Sequence, residues 1–166
     1  MVVVSHEYIG NEIAIDGLYE HQILKNLFEA LQLFNFEFKS GSALDIGANI
    51  GNHSRFFSEK FQRVYAFEPD PFIYKILKIN TSLFPNIETY NFALGDSNKV
   101  SIISGVLSNL GGSRINREQT NWTKIENQSL IQNHQIEIRT LDSLESSWDS
   151  QNSKLIIVLN IWDFNL

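Results

Sequence analysis

Short apolar runs alternate with helical stripes along this chain, and that alternation predicts an α/β fold. Glu7-Tyr8-Ile9 and Glu12-Ile13-Ala14-Ile15 flank Gly10-Asn11, which reads as a small hairpin closed by a two-residue turn. A helix is predicted from about Leu18 to Phe34, where Leu24, Leu27, Phe28, Leu31 and Phe34 recur at three and four residues. The strand Ala43–Ile46 follows, then a helix from about Asn52 to Phe61, then the strand Val64–Phe67. Pro69 holds Glu68 extended, Asp70 suits a helix N-cap and Pro71 suits the first helical position. The next helix carries Ile73, Ile76 and Leu77 on one face and is broken by Pro85-Asn86. A third strand is predicted over Ile87–Leu94, closed by Gly95-Asp96.

Beyond Asp96 the pattern weakens. Val100–Ile103 and Ile136–Ile138 read as an antiparallel pair of strands. The stretch between them, Gly105–Gln135, is rich in Asn, Gln, Ser and Thr, and is expected to be a long mobile loop over a site. Thr140-Leu141-Asp142-Ser143-Leu144 reads as a short capped helix, and Leu155–Leu159 as a fully buried strand. No internal repeat or linker interrupts the 166 residues, which predict one domain.

Composition narrows the function classes. The 43% hydrophobic content, with twelve Phe, is enough to build a core. A formal charge of −6, with no basic stretch, argues against nucleic acid and anionic membrane as partners. The absence of cysteine removes disulfides, a thiolate nucleophile and Cys-ligated metal, and no His/Asp/Glu spacing suggests a metal site. Met1-Val2-Val3-Val4 is too short for a signal peptide, and Leu155–Leu159 is too short to cross a bilayer. A cytoplasmic protein is the expectation. Four N-x-S/T sequons, at Asn52, Asn80, Asn121 and Asn127, carry little meaning without a secretion signal.

The candidate chemistry sits at two strand ends. Asp45 closes the first strand and opens the turn Gly47-Ala48-Asn49-Ile50-Gly51. Glu68 closes the second strand 23 residues later (68 − 45 = 23). An acid at each of two strand mouths, beside a glycine turn, suits an adenosine-containing cofactor. The G-x-x-x-G spacing lacks the middle glycine that makes room for a pyrophosphate, so NAD is disfavoured and S-adenosylmethionine is favoured. Asp45 suits the cofactor's ammonium, directly or through water. Turn amides between Gly47 and Gly51 suit its carboxylate, and Glu68 suits the ribose hydroxyls. Each charge-assisted bond of this kind is worth roughly 1.5–3 kcal/mol. The competing reading of the glycine turn is purely structural. His53, Asp163 and His134 are candidates for a general base, with His53 reading more readily as a capping or packing histidine. Gly111-Gly112 reads as a substrate-facing loop or a hairpin turn, and Asp142 as a helix N-terminal charge. Tyr19 and Glu20 read as cofactor contacts or packing, and Trp122, Trp148 and Trp162 as sugar platforms or filling.

Taken in order, several segments resemble the FkbM-type S-adenosylmethionine-dependent methyltransferases. They are Gly17-Leu18-Tyr19-Glu20, Asp45–Ser54, Ala66–Pro71, Ala93-Leu94-Gly95-Asp96, Gly111-Gly112-Ser113 and Thr140–Leu144. The resemblance implies a Rossmann-like class I methyltransferase fold that acts on hydroxyl oxygens of sugars or natural products. It implies that Asp45, Gly47, Asn49 and Gly51 border the methionine moiety, that Glu68 takes the ribose, and that Ala93, Leu94 and Asp96 lie near the adenine. The family usually carries Lys, Asp, Glu and Gly at the end of the fourth strand. Here that segment is Val158-Leu159-Asn160-Ile161-Trp162-Asp163, where Asn160 cannot act as a base. The chain stops at Leu166, before the roughly three further strands of a full sheet. The expectation is therefore a fold incomplete at the C-terminus, its fourth-strand edge covered by a second copy or a partner chain. A non-catalytic fragment that binds the cofactor weakly is the alternative.

Overall fold

In chain order the elements are α1 (Tyr8–Asp16), α2 (His21–Leu33), β1 (Gly41–Ile46), α3 (Asn52–Ser58), β2 (Arg63–Phe67), α4 (Pro71–Thr81), β3 (Ile87–Tyr90), β4 (Ala93–Leu94), β5 (Lys99–Val106), β6 (Asn109–Ile115), β7 (Ile131–Arg139), a 3-10 helix (Asp142–Ser147) and β8 (Lys154–Leu159). The computed structural model describes residues 1–4, 8–33, 35, 37–106, 109–115, 131–147 and 154–159.

Four parallel strands form the first sheet, in the order β3-β2-β1-β8. That order, third-second-first-fourth, is the one found around the switch point of a doubly wound sheet. Ile46 is level with both Phe67 and Leu159, and Phe67 is level with Tyr90. One rim of the sheet therefore collects the residues that follow β1 and β2. The central strands are apolar on both faces, as parallel strands must be when helices cover them: Ala43, Leu44, Val64, Ala66 and Phe67 are fully buried. On one side, Phe28 of α2 packs against Phe38, Phe56 and Phe61 with centroids 4.8, 5.3 and 5.8 Å away, locking α2 onto α3.

The second sheet runs β4-β7-β5-β6. The expected antiparallel pair is present as β5 and β7, longer than the sequence pattern suggested. Three other expectations need correction. The N-terminal hairpin is instead helix α1. Ile9 and Ile13, one helical turn apart, both bury against Tyr19, Ile50, Ile73 and Ile76, and this packing overrides the Gly10-Asn11 turn signal. The third strand is split into β3 and β4, because the Asn91 side chain donates to the carbonyls of Glu68 (2.8 Å) and Pro69 (3.1 Å), and β4 then joins β7. Gly105–Gln135 is not one long loop. β5 runs on to Val106, β6 pairs with it, and β7 begins at Ile131; residues 116–130 lie outside the described ones. A Cβ at Gly105 would collide with the Ser113 side chain, so that glycine lets β6 lie close. The Thr140–Leu144 helix is a 3-10 helix over Asp142–Ser147, with the Ser143 amide donating to Thr140 Oγ1 (3.2 Å).

Asn80, on the buried stripe of α4, clasps the N-terminus. Its Oδ1 accepts from the Val2 amide (2.5 Å), and its Nδ2 donates to the carbonyls of Val2 (2.9 Å) and Ile50 (2.7 Å). Asn80→Ala is expected to cost about 1–3 kcal/mol, since it leaves the buried Ile50 carbonyl unpaired. Urea denaturation reads this directly, and a loss under about 0.5 kcal/mol would show the clasp to be energetically idle.

Candidate functional site

The turn after β1 is shaped by three left-handed residues, Gly47 (φ 79°), Asn49 (φ 49°) and Gly51 (φ 87°). This conformation folds the backbone over the rim. The Gly47 and Ala48 amides both donate to the Phe67 carbonyl (3.0 and 2.9 Å), and the Gly51 amide donates to the Ala48 carbonyl (2.8 Å). The Asn49 amide donates to Glu68 Oε2 (2.9 Å). Four amides of the turn are thus engaged inside the protein, which corrects the expectation that they stand ready for a ligand carboxylate.

Glu68 is the hub. Its Oε2 holds Asn49, and its Oε1 accepts from the Asp70 amide (2.8 Å). Asp70 in turn caps α4, accepting from the amides of Phe72 (2.8 Å) and Ile73 (3.2 Å), as its N-cap pattern predicted. Burial pushes the Glu68 carboxyl up to about 8. The two amides oppose that rise, and the charges of Asp70 and Asp45 add to it. Asp45 and Glu68 are therefore close enough to feel one another, although Asp45 is used differently from the sequence expectation. It is fully buried and turned toward α3, where its Oδ2 accepts from the Ser54 hydroxyl (2.5 Å) and the carboxylate also accepts from the Ser54 amide. The N-cap of α3 is Gly51, which has no side chain to offer, so Asp45 supplies the capping acceptor from the neighbouring strand. Burial raises its pKa to about 6 against those two donors. Its Oδ1, and Oδ1 of Asn49, are buried without a hydrogen-bond partner.

The other candidates are distributed more widely. Gly51 packs against α4: a Cβ there would lie 2.8 Å from Leu77 Cδ1. Ala93 is buried among Ile103, Ile136 and Ile138, and Leu94 packs on the cluster of Leu44, Phe67 and Phe92. Asp96 lies on an exposed turn, where Ser97 and Lys99 (3.1 Å) hold its carboxyl below the ordinary range. Among the described residues, no hydrogen bond or ion pair joins it to Glu68. His53 is buried, tilted against Phe57, with Nε2 3.4 Å from Glu20 Oε2. His134 lies in β7 opposite Ile103. Asp163, Asn160 and the three tryptophans lie outside the described residues. Gly111 and Gly112 sit within β6. Among the described residues, no group of three His, Cys, Asp or Glu is arranged for a metal, and no helix is long and apolar enough to cross a membrane.

Sequence reasoning missed Ser54, Asn52, Asn80 and Asn91 as working residues. Asn80 was legible only as a sequon, and Asn52 as a sequon, a helix start and part of the Asp45–Ser54 stretch, yet both are buried and bonded at both ends of the amide. Neither can accept a glycan in the folded chain. The available signal was spacing: Asn80 continues the stripe Ile73, Ile76, Leu77, and a polar residue on a buried stripe requires partners.

A parallel sheet with an acid-lined glycine turn at its carboxyl rim places the chain in the α/β class of domains, whose ligands sit outside the carboxyl ends of the strands. Residues 45–159 match the family described as the Methyltransferase FkbM domain, and the chain belongs to that family. Among solved structures it is similar to the 23S rRNA methyltransferase ErmE, with 25% identity and a TM-score of 0.37, covering 45% of this chain and 29% of that one. It is also similar to Haemonchus contortus phosphoethanolamine N-methyltransferase 1, solved with phosphoethanolamine and S-adenosylhomocysteine. There the identity is 20% and the TM-score 0.33, covering 37% of this chain and 12% of that one. The chain thus spans less than a third of either protein. No curated protein matches it.

Proposed function

We propose that the chain binds S-adenosylmethionine at the carboxyl rim of β1 and β2 and serves methyl transfer to a hydroxyl oxygen of a sugar or natural product. The observation that carries this is the polarity of the turn. Its uncommitted acceptors are Asn49 Oδ1 and the remaining lone pairs of Glu68, while four of its amides are spent. A fitting ligand must bring donors and positive charge. Beside its carboxylate, S-adenosylmethionine brings an ammonium, ribose hydroxyls and a sulfonium; a pyrophosphate brings only acceptors and negative charge. Glu68 takes the ribose, Asn49 borders the methionine portion, and Gly47 and Gly51 shape the turn. Asp45 acts from behind by holding α3. Adenine lies toward Ala93 and Leu94. When bound, the cofactor would supply an electrophilic methyl to an oriented hydroxyl oxygen, the S–CH3 bond breaking as O–CH3 forms, with S-adenosylhomocysteine as the leaving group and the hydroxyl proton lost to solvent. The outer edge of β8, at the rim of the sheet among the described residues, is where a second copy or partner chain would add a strand.

Calorimetry tests the cofactor. S-adenosylhomocysteine is expected to bind with micromolar affinity and NAD not at all. Glu68→Ala is expected to weaken that binding on the order of 100-fold through loss of two charge-assisted bonds. Silence of the wild-type chain toward S-adenosylhomocysteine would overturn the reading. Transfer of labelled methyl to a pool of sugar hydroxyls separates an enzyme from a cofactor binder.

A further inference from the structure

The geometry points to Glu20 as the anionic contact for the ammonium of the cofactor's amino-acid portion, a contact the sequence assigns to Asp45. This assignment rests on the cofactor reading above. Asp45 is fully buried and committed to Ser54, so it cannot meet the ligand directly. Glu68, with both oxygens already anchoring the turn, serves the ribose. A cationic group lying along the turn toward α3 needs another carboxylate.

Glu20 is brought to that place by two separate fasteners. Asn52, the residue after Gly51, clasps the Tyr19 backbone reciprocally: its Oδ1 accepts from the Tyr19 amide and its Nδ2 donates to the Tyr19 carbonyl, both at 3.0 Å. His53, the next residue, faces Glu20 Oε2 at 3.4 Å. The segment before α2 is thereby strapped to the first turn of α3, beside the glycine turn. Glu20 holds a left-handed φ of 57°, a conformation a non-glycine residue keeps only when its surroundings impose it. The His53 side chain is 6% exposed, whereas that of Glu20 is 28% exposed, so the carboxylate is half-sunk yet reachable. A carboxylate offers about four lone-pair sites, of which the Tyr19 hydroxyl takes one, with His53 Nε2 alongside at 3.4 Å. Burial holds the Glu20 carboxyl above its ordinary range, with the Tyr19 hydroxyl opposing, and a cation alongside would relieve that cost.

The test compares the full chain with its Glu20→Gln variant in calorimetry against two ligands. S-adenosylhomocysteine carries the amino-acid portion; 5′-methylthioadenosine keeps the nucleoside and the sulfur without it. Glu20→Gln is expected to weaken S-adenosylhomocysteine about 10- to 100-fold and to leave 5′-methylthioadenosine unchanged. An unchanged affinity for S-adenosylhomocysteine, or an equal loss for both ligands, overturns the assignment while leaving the cofactor reading intact. A wild-type chain that binds neither ligand overturns both.

Discussion

Without ligand, the folded chain is expected to lose stability as pH is raised from 5 to about 8 and then to level off. Glu68 titrates near 4.5 when unfolded and near 8 when folded, because the folded turn buries it. Between those values the native chain holds a proton that the unfolded chain has released, so every rise in pH favours unfolding. Asp45 acts in the same direction over a lower window, from 3.8 to about 6. The stabilising protonation is complete below pH 4 and is lost as pH passes 6 and then 8. Glu68 alone corresponds to about 5 kcal/mol across its window. Urea denaturation at pH 5, 7 and 9 measures the slope, and Glu68→Ala should remove the part between 6 and 8. A flat wild-type profile would mean that Glu68 is solvated and that the turn is not the desolvated acceptor site described above. The same linkage reaches the ligand. Ribose hydroxyls and a nearby cation favour the ionised carboxylate, so binding near pH 7 is expected to expel a proton. Titrations in two buffers of different ionisation heat would then give different apparent enthalpies.

Much of the rim was readable because local and long-range signals agree there. β1 and β2 are short apolar runs bounded by Gly41 and by Pro69-Asp70, and Asp70 caps α4 from its own side chain. Glu68 was legible for the same reason, since the following proline fixes it at the strand mouth. Failures came where partners lie far away in sequence. Gly10-Asn11 carries a local turn signal, but Ile9 and Ile13 are paid for by Ile50, Ile73 and Ile76, some 37 to 67 residues away (50 − 13 = 37, 76 − 9 = 67). β6 reads Asn109-Leu110-Gly111-Gly112-Ser113-Arg114-Ile115, too polar and glycine-rich for a periodicity argument. It exists because β5 presents an edge to it. Asp45 shows the limit most sharply. Its position at a strand end was evident, yet its task depends on Ser54 and on Gly51 having no side chain, a relation visible only once α3 is placed.

Gly51→Ala is expected to destabilise the chain by about 2–5 kcal/mol, and two separable causes contribute. The φ of 87° is costly for any residue with a Cβ, by roughly 1–2 kcal/mol. The new Cβ would also lie 2.8 Å from Leu77 Cδ1 and 3.3 Å from Thr81 Cγ2, on a face of α4 where both residues are buried, and overpacking of that kind costs about 1–3 kcal/mol. A double-mutant cycle separates the two. Leu77→Ala alone opens a cavity worth about 2–5 kcal/mol, but combined with Gly51→Ala it should cost less than the sum by about 1–3 kcal/mol, because the methyl enters the space that Leu77 vacates. Gly51→Asn tolerates the left-handed φ better yet keeps the collision, so it should recover little. If Gly51→Ala falls within about 0.5 kcal/mol of wild type, α4 does not press on the turn, and the tight seating of Asn49 over Glu68 loses its physical cause.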